Sequence, residues 1–153
     1  MSIDKRLAEL GIKLPAPAKP VASYLPYVES GGFLHISGQI SMEENGDLIV
    51  GCLGEDYNVE RGQAAARRCG IMLITQMKAA LGDLERVEKI VKLGGFVNST
   101  PDFTDQPKVI NGASDLMQDV FGEAGRHARS AVGVNTLPLG VAVEIDAIVK
   151  VRD

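Results

Sequence analysis

Residues 141–151, VAVEIDAIVKV, constrain the fold more than any other stretch of this chain. One set of alternate positions is wholly apolar, whereas the other set is mixed and contains Glu144 and Asp146. This period of two is typical of a β-strand with one buried face. Glu144 therefore points away from the strand's apolar face. A carboxylate in that position must be solvated, paired with a cation, or placed against a cleft or a neighbouring subunit.

The N-terminal part of the chain predicts an arm that precedes the main domain. Ser2 is a candidate N-cap for a helix that runs through Leu10, and the prolines between residues 15 and 20 then impose an extended connector. A chain of 153 residues has the length of one domain and can bury a substantial core. We expect residues 1–22 to form the helix and the Pro-rich arm, and residues 23–153 to form a single domain.

Strand patterns account for much of the remaining chain. Residues 33–42 predict a strand, and an Asn45-Gly46 turn followed by a returning strand from Leu48 predicts an opening hairpin. Further strands are predicted at residues 87–98 and on either side of Leu137-Pro138-Leu139-Gly140.

Two long amphipathic helices are predicted between these strands. From Asn58 to Leu81 the apolar positions recur every three or four residues, Asn58 is a suitable N-cap, and Gly82 closes the helix. The same spacing over residues 109–121 predicts a second helix that ends at Gly122. The resulting order of elements predicts an α+β domain with a mixed β-sheet and both long helices on one face.

The opposite face of this sheet has no predicted cover. Its residues on the last strand, among them Ala142, Glu144 and Ile148, are mixed in polarity, and no further sequence remains to pack on them. Self-association into a closed ring would bury these faces against one another. We therefore expect a homo-oligomer.

Charge and cysteine content argue against several classes of protein. The 20 Asp and Glu residues exceed the 16 Lys and Arg residues, and no basic run appears, which argues against nucleic acid as a partner. No segment has the continuous apolar length of a secretion signal or a membrane span, so a cytoplasmic protein without a membrane partner is expected. Cys52 and Cys69 form no Cys-x-x-Cys pattern and the histidines are not clustered, so neither a metal site nor a cofactor is expected.

Several short motifs occur in a fixed order along the chain. They are Tyr24, Ser37-Gly38-Gln39, Asn111, Arg129-Ser130, Leu137-Pro138 and the strand that carries Glu144. With these motifs, the chain from about Tyr24 to Val151 resembles the Rid family, also called YjgF or reactive-intermediate deaminase proteins. The resemblance implies a chorismate-mutase-like fold, a homotrimer whose strands form a central barrel, and clefts that lie between adjacent subunits.

The resemblance also implies an activity, the hydrolysis of 2-aminoacrylate-type enamines and imines to 2-keto acids and ammonia. The planar fork of Arg129 would bind the carboxylate of this small-molecule substrate through two charge-assisted hydrogen bonds, and Glu144 would place the attacking water or relay its proton. The implied site residues are Arg129, Glu144 and Tyr24 as catalytic groups, with Ser37, Gly38, Asn111 and Ala131 as substrate-binding groups.

Simpler interpretations stay open for these residues. Arg129 is also explained as one half of an ordinary ion pair, and Glu144 as a carboxylate at a strand edge or subunit interface. Asp146 lies on the same face as Glu144 and competes with it for the role of base. Tyr27 is an alternative to Tyr24.

Some positions depart from the family pattern and predict a side branch. Ala131 stands where many members carry Cys, and Pro107 stands about where an aromatic residue packs near the ligand. The interval from Asn111 to Arg129 is one residue longer than usual, with residues 125–127 as an insertion. A second candidate function is therefore a non-catalytic trimer that binds small carboxylates. Ribonuclease or translation-inhibitor activity is a third, which the acidic balance disfavours.

Overall fold

The computed structural model describes residues 1–17 and 22–153 of the chain. Its centre is a five-stranded sheet in the order β1-β2-β5-β3-β4. The strands are β1 (Tyr27–Ser30), β2 (Phe33–Ile40), β3 (Val87–Asn98), β4 (Ala128–Val134) and β5 (Val143–Val151). Neighbouring strands are antiparallel except for β3 and β4, which run parallel. The predicted mixed β-sheet is therefore confirmed.

Two long helices pack on one face of the sheet, as predicted. They are α2 (Val59–Leu81) and α3 (Gln106–Phe121), and a short helix α1 (Ile3–Glu9) precedes them in the chain. The Asn58 side chain caps α2 by accepting a hydrogen bond from the backbone N–H of Arg61, and Gly82 ends the helix with a positive φ of 76°. The buried residues of α2 and α3 join those of β3 and β5 in one core.

The N-terminal helix packs on the rest of the fold. Ser2 caps α1 as expected, Leu7 is buried, and the Arg6 side chain donates to the backbone carbonyl of Asp119 at the end of α3. Part of the Pro-rich connector, including Pro20, lies outside the described residues. The division of the chain into residues 1–22 and 23–153 thus stays a prediction.

The predicted turn at Asn45-Gly46 forms and returns the chain antiparallel to Met42, but the returning segment from Leu48 is not a continuous strand. β2 pairs with the short β1 across the Gly31-Gly32 turn, whereas the segment from Leu48 forms only isolated bridges to Met42 and Val141. The physical reason is that this segment wedges between two other stretches. The backbone N–H of Ile49 donates to Ser41, and the carbonyl of Ile49 accepts from Ala142.

That wedge also corrects the prediction for Ala142, which was expected on the uncovered face. Ala142 is completely buried and belongs to the core, and its backbone N–H donates to the carbonyl of Ile49 in the neighbouring segment. The open face begins two residues later, at Glu144. There Ile40 of β2, Glu144 of β5 and Phe96 of β3 stand side by side in register. None of these three is fully buried.

Three short 3-10 helices complete the described chain, at Leu84–Arg86, Gly122–Gly125 and Pro138–Gly140. Within residues 1–17 and 22–153, no helix combines the length and the hydropathy needed to span a bilayer.

The crossing of α2 and α3 depends on a helical glycine. A side chain on Gly112 would meet the backbone carbonyl of Gln63, which cannot move without shifting α2. We expect Gly112→Ala to lower the free energy of unfolding by about 1–3 kcal/mol, the usual range for overpacking. Urea unfolding at one fixed protein concentration would measure it.

Gly70→Ala is the matched control for this prediction. Its new methyl group would meet the flexible tip of Leu116 rather than a backbone, and alanine also has the higher helix propensity. Gly70→Ala should therefore lower the free energy of unfolding much less than Gly112→Ala does. Equal stability of Gly112→Ala and the wild-type protein would show that the helices do not meet at this glycine.

Candidate functional site

Glu144 lines a cavity of about 550 Å³ at the end of β2. Tyr24, Ser37 and Gly38 line the same cavity, so the structure brings together four of the seven predicted site residues. The Tyr24 side chain is largely exposed, with 59% of its surface accessible. The rim is completed by Leu139, which is also exposed and holds a positive φ of 61° that is uncommon outside glycine.

A β-bulge shapes the wall next to Glu144. The pairing of β2 with β5 shifts register between Ile36 and Gln39, at Ser37 and Gly38. Any side chain at position 38 would collide with the Glu144 carboxylate. Glycine at this position therefore permits the close approach of the Glu144 carboxylate to the backbone of β2. The bulge thus explains why Ser-Gly, rather than two larger residues, stands here.

The Ser37 hydroxyl is engaged by the protein itself. Its Oγ donates to the backbone carbonyl of Leu25 at 2.6 Å, and its backbone N–H donates to the carbonyl of Pro26 at 2.9 Å. These bonds hold the segment that carries Tyr24 against the bulge. Ser37 therefore positions one wall of the cavity.

Two carboxylates share the open face of the sheet. Burial raises the pKa of Glu144, and the nearby charge of Asp146 raises it further. Burial also raises the pKa of Asp146, although a hydrogen bond from the Gly94 backbone and the charge of Lys92 oppose this rise. No hydrogen-bond donor or cation from the described residues neutralises Glu144 directly. Glu144 is the carboxyl with the stronger tendency to hold or take up a proton.

Arg129 lies in a different place, on the other face of the sheet. It stands in register with Leu93, which is completely buried beneath the helices. Its Nη1 group donates to Asn111 Oδ1 at 2.7 Å and to Ser114 Oγ at 3.1 Å. These two hydrogen bonds fix the guanidinium against α3. Arg129 and Asn111 line a cavity of about 240 Å³ that Glu144 does not reach.

The charge of Arg129 has no counter-ion within the described chain. None of the ion pairs between described residues involves Arg129. The Nε and Nη2 groups of Arg129 donate no hydrogen bond to a described residue. Within residues 1–17 and 22–153, Arg129 is therefore not half of an ion pair, the simpler interpretation left open by the sequence. Two N–H directions of a planar fork remain for an external carboxylate.

The sequence analysis missed the way in which Arg129 is held. Ser114 lies three residues after Asn111 and hence on the same side of α3, a helical spacing that gave a usable signal. His127 Nδ1 lies 2.7 Å from the Gly125 carbonyl, which requires a proton on that nitrogen. Its Nε2 then accepts from the Ser114 hydroxyl at 2.9 Å. Burial lowers the pKa of His127, and the charge of Arg129 lowers it too.

The remaining predicted residue, Ala131, lines neither cavity. It stands in register with Gly95, on the helix-covered side, and packs against the core. The structure thus forms two separate groups, one around Glu144 and one around Arg129, on opposite faces of one sheet. In the described part of the chain, no three His, Cys, Asp or Glu side chains come together as metal ligands would.

The raised pKa of Glu144 makes stability depend on pH. A folded-state pKa above the ordinary value means that the protonated carboxyl stabilises the fold, and that this contribution is lost as the pH rises through the folded pKa. Glu144→Gln mimics the protonated form. We expect the variant to melt at a higher temperature than the wild-type protein at about pH 8, and the difference to shrink towards about pH 4.

Glu88→Gln is the control, because Glu88 is an exposed carboxylate that pairs with Lys150 on the neighbouring strand. Removing it should not raise the melting temperature. A Glu144→Gln protein that melts at or below the wild-type temperature at about pH 8 would contradict the burial argument.

Comparison with known proteins assigns the chain to a family. The family model described as "YjgF/chorismate_mutase-like, putative endoribonuclease" matches residues 4–147. The chain is 55% identical over 152 residues to Protein TCP17 of Trypanosoma cruzi, covering 99% of this chain and 95% of that protein. It is 29% identical over 143 residues to a 2-iminobutanoate/2-iminopropanoate deaminase of Dermatophagoides farinae, covering 92% and 95%.

Among solved structures, the protein Atu1372 of Agrobacterium tumefaciens, described as having unknown function, superposes with a TM-score of 0.91 at 47% identity. That alignment covers 99% of this chain and 94% of the other. The match over nearly the whole chain agrees with the α+β fold and with the order of motifs along the sequence. The chain belongs to the YjgF family and has its chorismate-mutase-like fold.

Proposed function

We propose that this protein hydrolyses reactive enamines and imines of the 2-aminoacrylate type to 2-keto acids and ammonia. The observation that carries the proposal is the presence of two charged groups that have no ion-pair partner among the described residues, a carboxylate with a raised pKa at Glu144 and an arginine fork with free N–H directions at Arg129. An imino acid needs both kinds of group, a cation for its carboxylate and a proton carrier for its C=N bond. The deaminase of Dermatophagoides farinae supports the same reaction class.

Because the two groups lie on opposite faces of one sheet, the proposal requires a site between subunits. In a homotrimer, the Glu144 cavity of one subunit would meet the Arg129 cluster of its neighbour. The open face supports such an interface, since several large apolar side chains are exposed on or near it. They are Tyr24, Leu25, Val28, Phe33, Val132 and Leu139. A ring closed by threefold symmetry would cover these side chains.

The chemistry then follows from the groups present. Arg129 binds the carboxylate of the protonated imine, and a water adds to the carbon of the C=N bond while Glu144 accepts a proton from that water. The carbon–oxygen bond forms, and the nitrogen becomes a neutral amine. Glu144 then returns the proton to that nitrogen, the carbon–nitrogen bond breaks as ammonia leaves, and the hydroxyl proton passes to Glu144 as the C=O bond of the 2-keto acid forms. A carboxyl whose pKa is raised towards neutral pH suits both proton transfers.

A second function stays in competition, a trimer that binds small carboxylates without turnover. The separate cavity around Arg129 favours it, because carboxylate binding there does not require Glu144. The family description also contains the word endoribonuclease. The net charge of −4 disfavours that activity, since RNA binding depends on neutralising phosphates.

Single substitutions separate the enzyme from the binder. Glu144→Gln should lower imine hydrolysis by about 10²- to 10⁴-fold and leave binding of a stable 2-keto acid intact, because the amide cannot take a proton. Arg129→Lys should weaken that binding strongly, because lysine lacks the planar fork. Imines generated in situ by an amino-acid oxidase, with ammonia release as the readout, measure the first effect, and calorimetry measures the second.

Arg86→Lys provides the matched control, since Arg86 is half-buried and pairs with Glu29 away from both cavities. It should behave as the wild-type protein in both assays. Undiminished hydrolysis in Glu144→Gln would reject Glu144 as the proton carrier and direct attention to Asp146, Tyr24 or His127. Equal affinity of Arg129→Lys and wild-type protein would make Arg129 a structural residue.

Mixing the two variants tests whether the site is shared between subunits. Arg129→Lys and Glu144→Gln chains that are unfolded and refolded together should form hybrid rings. Some interfaces in these rings pair an intact Arg129 with an intact Glu144, so hydrolysis should reappear. Chains refolded separately and then combined should stay inactive. Absence of recovery, or a monodisperse monomer by light scattering, would reject the shared site.

A further inference from the structure

Two glutamine side chains that line the Glu144 cavity contact each other. Gln39 belongs to β2 and Gln76 to α2, and both line the cavity. Gln39 Nε2 donates to the Ser37 carbonyl at 2.9 Å, which turns Gln39 Oε1 towards Gln76. Gln76 Nε2 then approaches Gln39 Oε1 at 3.5 Å. Rotating the Gln76 amide by half a turn would bring two carbonyl oxygens together, so the donor pattern dictates its orientation.

This orientation leaves the Gln76 carbonyl oxygen as a buried acceptor. No donor from the described residues reaches Gln76 Oε1, although the residue is only 1% exposed. The hydrogen bond from Gln76 Nε2 to Gln39 Oε1, at 3.5 Å, lies at the limit of hydrogen-bond length. Buried polar groups are nearly always paired in folded proteins, and an unpaired one requires an explanation. The Gln76 amide therefore offers an unpaired acceptor and a weakly bonded donor, and Gln76 lines the Glu144 cavity.

The surroundings of this amide suit a small ligand with an apolar stem. Ile40, Met42 and Met72 line the same cavity as the two glutamines. Methionine side chains are flexible and adapt their shape, so they can move aside for a ligand that reaches the amide. Apolar walls beside a polar pair favour a ligand that has an apolar stem and a polar tip.

We propose that Gln76, supported by Gln39, forms a subsite for a primary carboxamide at the end of the substrate side chain. The ligand N–H donates to Gln76 Oε1, and the ligand carbonyl accepts from Gln76 Nε2. An ammonium group would lose its hydration without a charged partner at the glutamines, so the subsite favours an uncharged tip. Resting on the proposed function, this inference names the substrate class as 2-imino acids with a short stem and a terminal amide.

A shape-matched pair of substrates tests the subsite. An amino-acid oxidase forms one imine from asparagine and another from leucine. The two imines have side chains of similar shape, but the first ends in an amide and the second ends in two methyl groups. We expect the wild-type protein to hydrolyse the asparagine imine about 10- to 100-fold faster, as kcat/KM, because the leucine imine leaves Gln76 unpaired. Gln76→Met keeps the length of the side chain and removes the amide. It should abolish the preference by slowing only the asparagine imine.

Binding of the stable keto acids distinguishes failure of the subsite from failure of the proposed reaction. If neither imine is hydrolysed, but 2-oxosuccinamate binds more tightly than 4-methyl-2-oxopentanoate and Gln76→Met removes the difference, the subsite stands and the proposed hydrolysis falls. Equal affinity of the two keto acids for the wild-type protein overturns the subsite. A preference that persists in Gln76→Met also overturns it. Should that variant fail to fold, the wild-type comparison decides alone.

Discussion

The central strand β5 is the constraint on which the rest of the structure depends. It is hydrogen-bonded to β2 on one side and to β3 on the other. One set of its alternate residues, including Val143 and Ile145, is buried beneath the helices, so the set with Glu144 must stand on the opposite face. The same alternation on β4 places Arg129 on the helix side. The pleat of the sheet therefore separates the two charged groups of the proposed reaction.

That separation leaves two opposite charges without counter-ions among the described residues of one subunit. Neutral partners, the side chains of Asn111 and Ser114, hold Arg129. Glu144 has another carboxylate, Asp146, as its charged neighbour. A partly buried charge without a partner lowers the stability of the fold. That cost is offset when another group, outside the subunit, pairs with the charge at the cavity. A neighbouring subunit and a zwitterionic or carboxylate-bearing ligand together satisfy that condition, which is the basis of the shared site that we propose.

Local signals in the sequence predicted some elements well and others poorly. The cap at Asn58 and the stop at Gly82 gave the bounds of α2, because capping depends on residues close in the chain. β1 was missed, because Tyr27–Ser30 is only four residues long and has no fully buried position. The apolar run after Leu48 carried an ordinary strand signal. It forms isolated bridges because it crosses between Ser41 and Ala142.

The sequence by itself determined the periodicity of the long helices and of β5, and the ordered motifs identified the residues of interest. Only the tertiary structure decided which of them meet. It grouped Tyr24 with Glu144, held Arg129 through Asn111 and Ser114, and left the Gln76 carbonyl without a donor from the described residues. The physical reason is one of distance along the chain. Periodicity and capping act over a few residues, whereas sheet register, the bulge in β2 and the pairing of buried amides arise from contacts between segments far apart in sequence.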